Sequence, residues 1–411
     1  MRVEVLSKNL QIVKYNFTIC KMWIPRLLEA ELKRRANERP VLVVSGARQT
    51  GKTSLVRGVF PDHAYVSLDL PSAAELAERD PELFLRDFPA PLIVDEVQYA
   101  PGLFRHLKRV VDEDRDAMGR YVLTGSQPFT LMQGVAESLA GRVAVMKLGG
   151  LSWSELQNAN IDLPIDELLM RGGYPELYRR PELGPRDFYH DYVASYLERD
   201  LRTQMQVGSL RDFERFLRAV ALRTSQLLNK AELARDVGVS APTVAAWLSV
   251  LERSGLVALL EPWFSNRTKA LVKSPKLHVL DSGLTCFLMG AGSAEELRSS
   301  PLIGALWESR VFTEMRLLLD VGIGTGQLAY WRDRGKEADF LLHRAGHIQL
   351  ADAKWTAQPE GAGSLERVRH EFDPPPNLTV FCRTPNRYPL SGHALAAPLK
   401  GVESWLKNEP R

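Results

Sequence analysis

Apolar runs alternate with amphipathic stretches over the first part of the chain. Val41-Leu-Val-Val44, Ala64-Tyr-Val-Ser-Leu68, Leu92-Ile-Val94 and Tyr121-Val-Leu123 each read as a buried strand, and the segments between them carry apolar residues at helical spacing. Over residues 25–158 this pattern predicts an α/β domain with a largely parallel sheet. Residues 159–207 read as charged helix broken by Gly172-Gly173 and Pro175, a lid or linker. Short helices follow over 208–276. A mixed helix-and-strand region over 277–411 contains Pro374-Pro-Pro376 and ends in a polar tail. Residues 1–24 form an N-terminal extension, in which Lys interrupts every apolar stretch, so no secretory signal is expected.

Composition narrows the classes. The 411 residues are too many for one ordinary core and suit about two to four domains. With 45% hydrophobic and 25% charged residues the chain is globular in composition, so wholesale disorder is excluded. Cys20, Cys286 and Cys382 form no C-x-x-C pair, which excludes a disulfide framework or a cysteine zinc site and suits a reducing cytoplasm. There is no H-E-x-x-H, and no apolar run nears the roughly 20 residues of a membrane helix.

The strongest chemical signal is Gly46-Ala47-Arg48-Gln49-Thr50-Gly51-Lys52-Thr53, a complete G-x-x-x-x-G-K-[ST], with Ser54 after it. It follows a predicted strand and opens a helical segment, so backbone N–H groups and a helix N-terminus can surround a phosphate chain. Gly46 and Gly51 let the loop close, Lys52 reaches the β- and γ-phosphates, and the Thr53 hydroxyl is offered to Mg²⁺. Downstream, Leu92-Ile-Val-Asp95-Glu96 ends a strand in two carboxylates. Asp95 is placed to hold Mg²⁺ and Glu96 to orient or deprotonate the attacking water. Tyr121-Val-Leu-Thr124-Gly-Ser126 brings a second strand into a polar turn, where Ser126, or else Thr124, can sense the γ-phosphate. In Leu139-Ala-Gly-Arg142 the arginine is a candidate finger for a neighbouring subunit's phosphate; the alternative is a surface salt bridge.

These motifs, together with Ile24-Pro-Arg26, Val94-Asp-Glu-Val-Gln98, Tyr196-Leu-Glu-Arg-Asp200 and Tyr330-Trp-Arg-Asp-Arg-Gly-Lys-Glu-Ala-Asp339, resemble the prokaryotic AAA-type ATPases that carry a C-terminal domain of unknown function. The likeness spans residues 24 to 357. It implies ATP and Mg²⁺ as cofactors, ATP hydrolysis and homo-oligomerisation, with a hexameric ring as a candidate form. It implies no settled substrate.

Between Asn229 and Leu251, Leu233 and Val237 give one helix an apolar face and Gly238 supports a turn. Ser240 caps a second helix with core positions Val244, Trp247, Leu248 and Leu251, which is helix-turn-helix anatomy. Leu256–Leu260 and Val272–Val279 can form a wing. The segment Arg199–Lys276 is locally positive although the whole chain carries only +3, so the remainder is net negative. Ser240, Thr243, Lys273 and Lys276 are therefore candidate DNA contacts. The second helix is poor in Arg, Asn and Gln, which argues against sequence-specific base reading. A protein-docking role for the same module is the other reading.

In the last region Glu308 sits on an amphipathic helix, and strands around Leu328–Trp331, Glu337–Leu342 and His347–Trp355 follow. Alternation puts Asp352 and Lys354 on one strand face, and a hairpin would bring Asp339 beside them. An acid followed by acid-x-Lys resembles the restriction-endonuclease-like fold, which implies a nuclease Mg²⁺ on Asp339 and Asp352 with Lys354 orienting water. The expectation is a Mg²⁺-dependent AAA-type ATPase acting on DNA, branched DNA included. The alternatives are an ATP-gated endonuclease and an ATP-dependent signalling switch that binds protein partners.

Overall fold

The computed structural model describes residues 23–126, 138–195, 209–264 and 274–407. The chain divides into two compact units between Gly149 and Gly150.

In the first unit, β1 (Val41–Ser45), β2 (Ala64–Ser67), β3 (Leu92–Asp95), β4 (Tyr121–Gly125) and β5 (Val143–Lys147) form one sheet in the order β2-β3-β4-β1-β5. Every pairing is parallel. The three central strands are buried along their whole length, because helices cover both faces and leave no polar side for alternation to mark. Helix α1 (Leu28–Ala36) buries Leu28 and Leu32, α2 (Lys52–Val59) buries Leu55 and Val56, and α3 (Leu103–Glu113) buries Leu103, Phe104, Leu107 and Val111. The apolar pattern of the sequence does not predict strand β5. It alternates buried and exposed positions at the sheet edge, with Val145 exposed, so it offers no apolar run.

The strand order decides where a ligand can sit. Ser45 of β1 pairs with Gly125 of β4, and Val94 of β3 pairs with Leu123, so the carboxyl ends of β1, β4 and β3 lie side by side. In open α/β sheets the crevice beyond such ends is where ligands bind.

The second unit begins earlier than the boundary expected after Asn158. Helix Trp153–Asn158 belongs to it, since the Trp153 N–H donates to the Glu314 carboxylate at 2.8 Å. Helices α4 (Leu210–Ala221), α5 (Lys230–Val237) and α6 (Ala241–Arg253) accompany a small antiparallel sheet of β6 (Gln226–Leu227), β7 (Val257–Leu260) and β8 (Lys276–Val279), with β8 in the middle. Phe213 and Phe216 of α4 pack edge-on to Trp247 of α6. The expected boundary at 276 therefore cuts a strand whose remaining residues complete this sheet.

A larger sheet follows, built from β9 (Gln327–Asp333), β10 (Lys336–Arg344), β11 (His347–Ala353), β12 (Asn377–Phe381), β13 (Tyr388–Pro389) and β14 (Ala394–Ala397) in the order β13-β14-β12-β11-β10-β9. Strands β9 to β11 are an antiparallel meander, whereas β11, β12 and β14 run parallel. Helices α7 (Ile303–Asp320) and α8 (Ser364–Arg369) pack on it, and Leu341, Leu350, Leu365 and Val380 are among its core residues.

Candidate nucleotide-binding site

The loop between β1 and α2 is built to surround an anion. At Gly46 a Cβ would lie 2.1 Å from the Leu148 carbonyl oxygen, so only glycine lets the chain leave β1 here. Gln49 and Gly51 take left-handed φ values of 62° and 91°, and the Thr50 hydroxyl closes the turn by donating to the Ala47 carbonyl at 2.9 Å. Gly51 is the residue before α2 and supplies no side-chain cap, so the amides of the first turn lack partners within the helix. Lys52 is only 5% exposed. Its ammonium donates to the carbonyls of Gly46 and Ala47 at 3.1 and 2.8 Å. Burial pushes its pKa down to about 8, a fall that the charges of Glu96 and Asp95 oppose. A crowded glycine turn, helix amides and a buried ammonium resting on neutral carbonyls fit a nucleotide's phosphates.

The two acids at the end of β3 have separate partners. Asp95 accepts from the Thr53 hydroxyl at 2.9 Å, from Tyr65 at 3.0 Å and from Thr124. Thr53 and Asp95 thus meet where a Mg²⁺ ion would need both. Glu96 takes a left-handed backbone conformation, φ 56° and ψ 46°, which costs a non-glycine residue about 1–3 kcal/mol and is typical of functional turns. Its amide donates to the Thr124 hydroxyl at 3.3 Å. Its Oε2 accepts from the Ser126 hydroxyl at 2.9 Å, the Ser126 amide at 3.2 Å and the Gln98 side chain. Burial works to raise the Glu96 carboxyl, but the Gln98 hydrogen bond, the Lys52 charge and Ser126 together hold it below the ordinary carboxylate range. Ser126 and Thr124, the two candidates for a phosphate sensor, are both engaged with the acid pair.

Arg142 is at the other end of the sheet. Its carbonyl accepts from the Val41 amide, at the amino ends of β1 and β5, whereas the phosphate loop leaves the carboxyl end of β1. Its guanidinium grips Asp112 through two bonds of 2.7 and 2.9 Å. Within its own chain, Arg142 is remote from the phosphate loop.

Three supporting residues carry no role that the sequence pattern alone assigns. Buried Arg26 donates to the Thr50 carbonyl at 2.7 Å and the Gly149 carbonyl at 2.8 Å, bracing the loop from behind. Tyr65 holds Asp95 and lies under the Arg57 guanidinium, 4.6 Å from the ring centre. Gln98 holds Glu96. Arg26 and Gln98 stand in the quoted motifs, but their partners depend on the turn and the strand order.

In the second unit, Ser240 accepts from the Thr243 amide at 3.2 Å and caps α6, and the two hydroxyls meet at 2.7 Å on the exposed side of the turn at Gly238. Lys273 and the segment Tyr196–Asp200 lie outside the described residues. Lys276, read as a DNA contact, is only 3% exposed. Its ammonium is paired with Glu337 at 2.7 Å, Glu308 at 3.0 Å and Asp339 at 3.1 Å, so it offers no cation to a phosphate backbone.

The hairpin does bring the predicted acids together. The Asp339 amide donates to Asp352 Oδ1 and the Ala353 amide to Asp339 Oδ2, each at 3.1 Å, while Lys354 lies 3.4 Å from Asp352 and half-exposed. Burial and the neighbouring Asp339 push both Glu308 and Asp352 above the ordinary carboxylate range. The Lys276 ammonium stands among these acids, against Glu308, Glu337 and Asp339. Among the described residues no group of three or more His, Cys, Asp or Glu side chains is arranged to hold a metal.

A phosphate loop on a five-stranded parallel sheet, with an acid pair ending the strand beyond its neighbour, defines the first unit as that of a P-loop ATPase. Residues 38–157 match the family described as AAA domain, and residues 163–295 match that described as Domain of unknown function (DUF8612). Uncharacterized proteins of Mycobacterium tuberculosis and Mycobacterium bovis are each 30% identical over 388 residues, which is 92% of this chain and 84% of the relative. The chain belongs to this family of AAA-type P-loop ATPases with a C-terminal domain of unknown function. Among solved structures, a Walker-type ATPase of Pyrococcus abyssi is 17% identical, with a TM-score of 0.40 over 65% of this chain and 96% of that one. AMPPCP-bound DnaA from Aquifex aeolicus is 16% identical, with a TM-score of 0.28 over 55% of this chain and 86% of that one. Among the described residues, no helix is long and apolar enough to cross a membrane.

Proposed function

We propose that the chain hydrolyses ATP with Mg²⁺ at the Gly46–Ser54 loop and acts on DNA as a homo-oligomer. The observation that carries the ATPase chemistry is the division of labour between adjacent acids: Asp95 faces Thr53, while Glu96 is tethered to Ser126. The loop amides and Lys52 bind the phosphates, and Thr53 and Asp95 hold the ion. When bound, Mg²⁺ neutralises charge on the β- and γ-phosphates. Glu96 takes a proton from the water whose oxygen attacks the γ-phosphorus, as the bond from phosphorus to the ADP oxygen breaks. Ser126 and Gln98 fix the direction of the Glu96 carboxylate.

For DNA, support comes from the positive surplus of Arg199–Lys276, which persists when the buried Lys276 is left out, and from the helix-turn-helix, where Ser240 and Thr243 edge the second helix. Neither residue is a strong base reader, which favours contact with the backbone over sequence reading. The test is ATP turnover with and without duplex and branched DNA, combined with DNA binding across a salt series. Binding that weakens steeply with salt and is reduced by Ser240→Asp with Thr243→Asp supports the reading. Turnover with no DNA binding at low salt transfers the module to a protein partner.

A further inference from the structure

The acidic cluster of the second unit is neutralised from within. Lys276 opens β8, the middle strand of the small sheet, and is paired through the backbone with Leu227 of β6 on one side and Leu260 of β7 on the other. Just ahead of it, the Ser274 carbonyl accepts from the Tyr330 hydroxyl at 2.6 Å, and the Tyr330 ring lies 5.7 Å from the ammonium. The side chain is thus delivered from a fixed backbone into a group of acids supplied by two other elements, Glu308 from α7 and Glu337 and Asp339 from β10. The remaining bonds close the set. Asp339 Oδ2 accepts from the Ala353 amide, Asp352 Oδ1 accepts from the Asp339 amide, and Asp352 Oδ2 accepts from the Ser364 hydroxyl at 3.1 Å.

We infer that Lys276 takes the place of a divalent cation in this cluster, so that the nuclease-like acids form a lysine-filled site closed to Mg²⁺, and that the same ammonium fastens the small sheet to the large one. A dication sharing these oxygens would sit beside a buried ammonium with little solvent between them, where like charges repel most strongly. The acids keep their geometry and lose their metal-binding capacity. A metal-dependent nuclease step would first require β8 to withdraw its lysine. The inference is independent of the ATP site.

The experiment is a Mn²⁺ titration of the nucleotide-free protein followed by electron paramagnetic resonance. The unaltered chain is expected to take up no Mn²⁺ at this cluster into the millimolar range, so that Asp339→Asn leaves its titration unchanged. Lys276→Met, which keeps the length and removes the charge, should create one bound Mn²⁺ per chain, lost again when Asp339→Asn is added. Mn²⁺ bound by the unaltered chain and abolished by Asp339→Asn overturns the inference, as does a folded Lys276→Met protein that binds none. If Lys276→Met does not fold, the comparison of the unaltered chain with Asp339→Asn decides alone: an Asp339-dependent ion refutes the inference, and its absence supports it.

Discussion

The Ser126 hydroxyl donates to Glu96 Oε2 at 2.9 Å, and the Ser126 amide reaches the same oxygen at 3.2 Å. Glu96 follows β3 and Ser126 follows β4, so a bond between neighbouring strand ends sets the direction of the acid proposed to activate water. The left-handed backbone at Glu96 turns the chain at this point, and Thr124 secures its amide.

Replacing Glu96 with Gln keeps the size and removes the base. We expect ATP to bind with nearly unchanged affinity while turnover falls about 10²–10⁴-fold, the usual contribution of a general base. Calorimetry for binding and single-turnover hydrolysis for chemistry separate the two. Unchanged turnover would assign the base elsewhere.

Ser126→Ala removes a donor that stabilises ionised Glu96. The Glu96 pKa lies below its ordinary value of 4.5, so hydrolysis should fade only as pH drops through that low value. Without Ser126 the carboxylate is less stabilised and its pKa rises, so the acid limb of kcat/KM should move to higher pH. A limb that stays in place would refute the contact's role.

Lys52 couples nucleotide binding to a proton. Its ammonium sits at about 8 in the nucleotide-free loop because burial penalises the charge. Phosphate oxygens favour the charged form and raise that value, so ATP binding above pH 8 must take up a proton, and affinity should fall up to about tenfold per further pH unit. Calorimetry in buffers of different ionisation enthalpy measures the uptake directly, with none expected near pH 6.5. Lys52→Ala should abolish the uptake and weaken binding by about 1.5–3 kcal/mol, the range for a hydrogen bond to a charged group.

What the sequence made legible follows from how each feature is built. Strands β1 to β4 and the Gly46–Thr53 loop are local: an apolar run, a glycine turn and a helix start each declare themselves within a few residues. Strand β5 does not, because its burial alternates at an edge. Lys276 counted as surface charge because composition cannot distinguish a solvated lysine from one whose acidic partners, Glu308 and Asp339, lie 32 and 63 positions downstream. The hairpin register that joins Asp339 to Asp352 was readable from strand alternation, whereas the cation delivered into it depends on how the small sheet meets the large one. Arg26 is similar: its contact with the Thr50 carbonyl spans 24 positions and exists only once the loop has closed.

Gly46→Ala tests the crowding at the loop's entrance. The added carbon meets the Leu148 carbonyl at 2.1 Å, a backbone atom that cannot rotate aside. The expected cost is about 1–3 kcal/mol of stability, as for overpacking elsewhere, with nucleotide affinity reduced as well. Gly304→Ala is the control, since nothing lies within 4 Å of its Cβ, and it should fold at least as stably. Thermal melting with and without ATP checks both.

The distance between Arg142 and its own phosphate loop leads to a test of oligomer function. Arg142 sits at the amino ends of the strands and is held there by Asp112, so any action on a γ-phosphate must be on a neighbour's. Arg142→Ala should therefore bind ATP normally and hydrolyse it slowly, by a factor of about 10³–10⁵ if the arginine serves as a finger. Glu96→Gln subunits lack the base but keep the arginine, and Arg142→Ala subunits have the converse defect. Mixed in equal amounts, the two inactive proteins should recover part of the ATPase activity, because some interfaces then pair an intact site with an intact arginine. Recovery that grows with protein concentration supports action between subunits. Arg142→Ala protein with full activity would reduce the arginine to its salt bridge with Asp112.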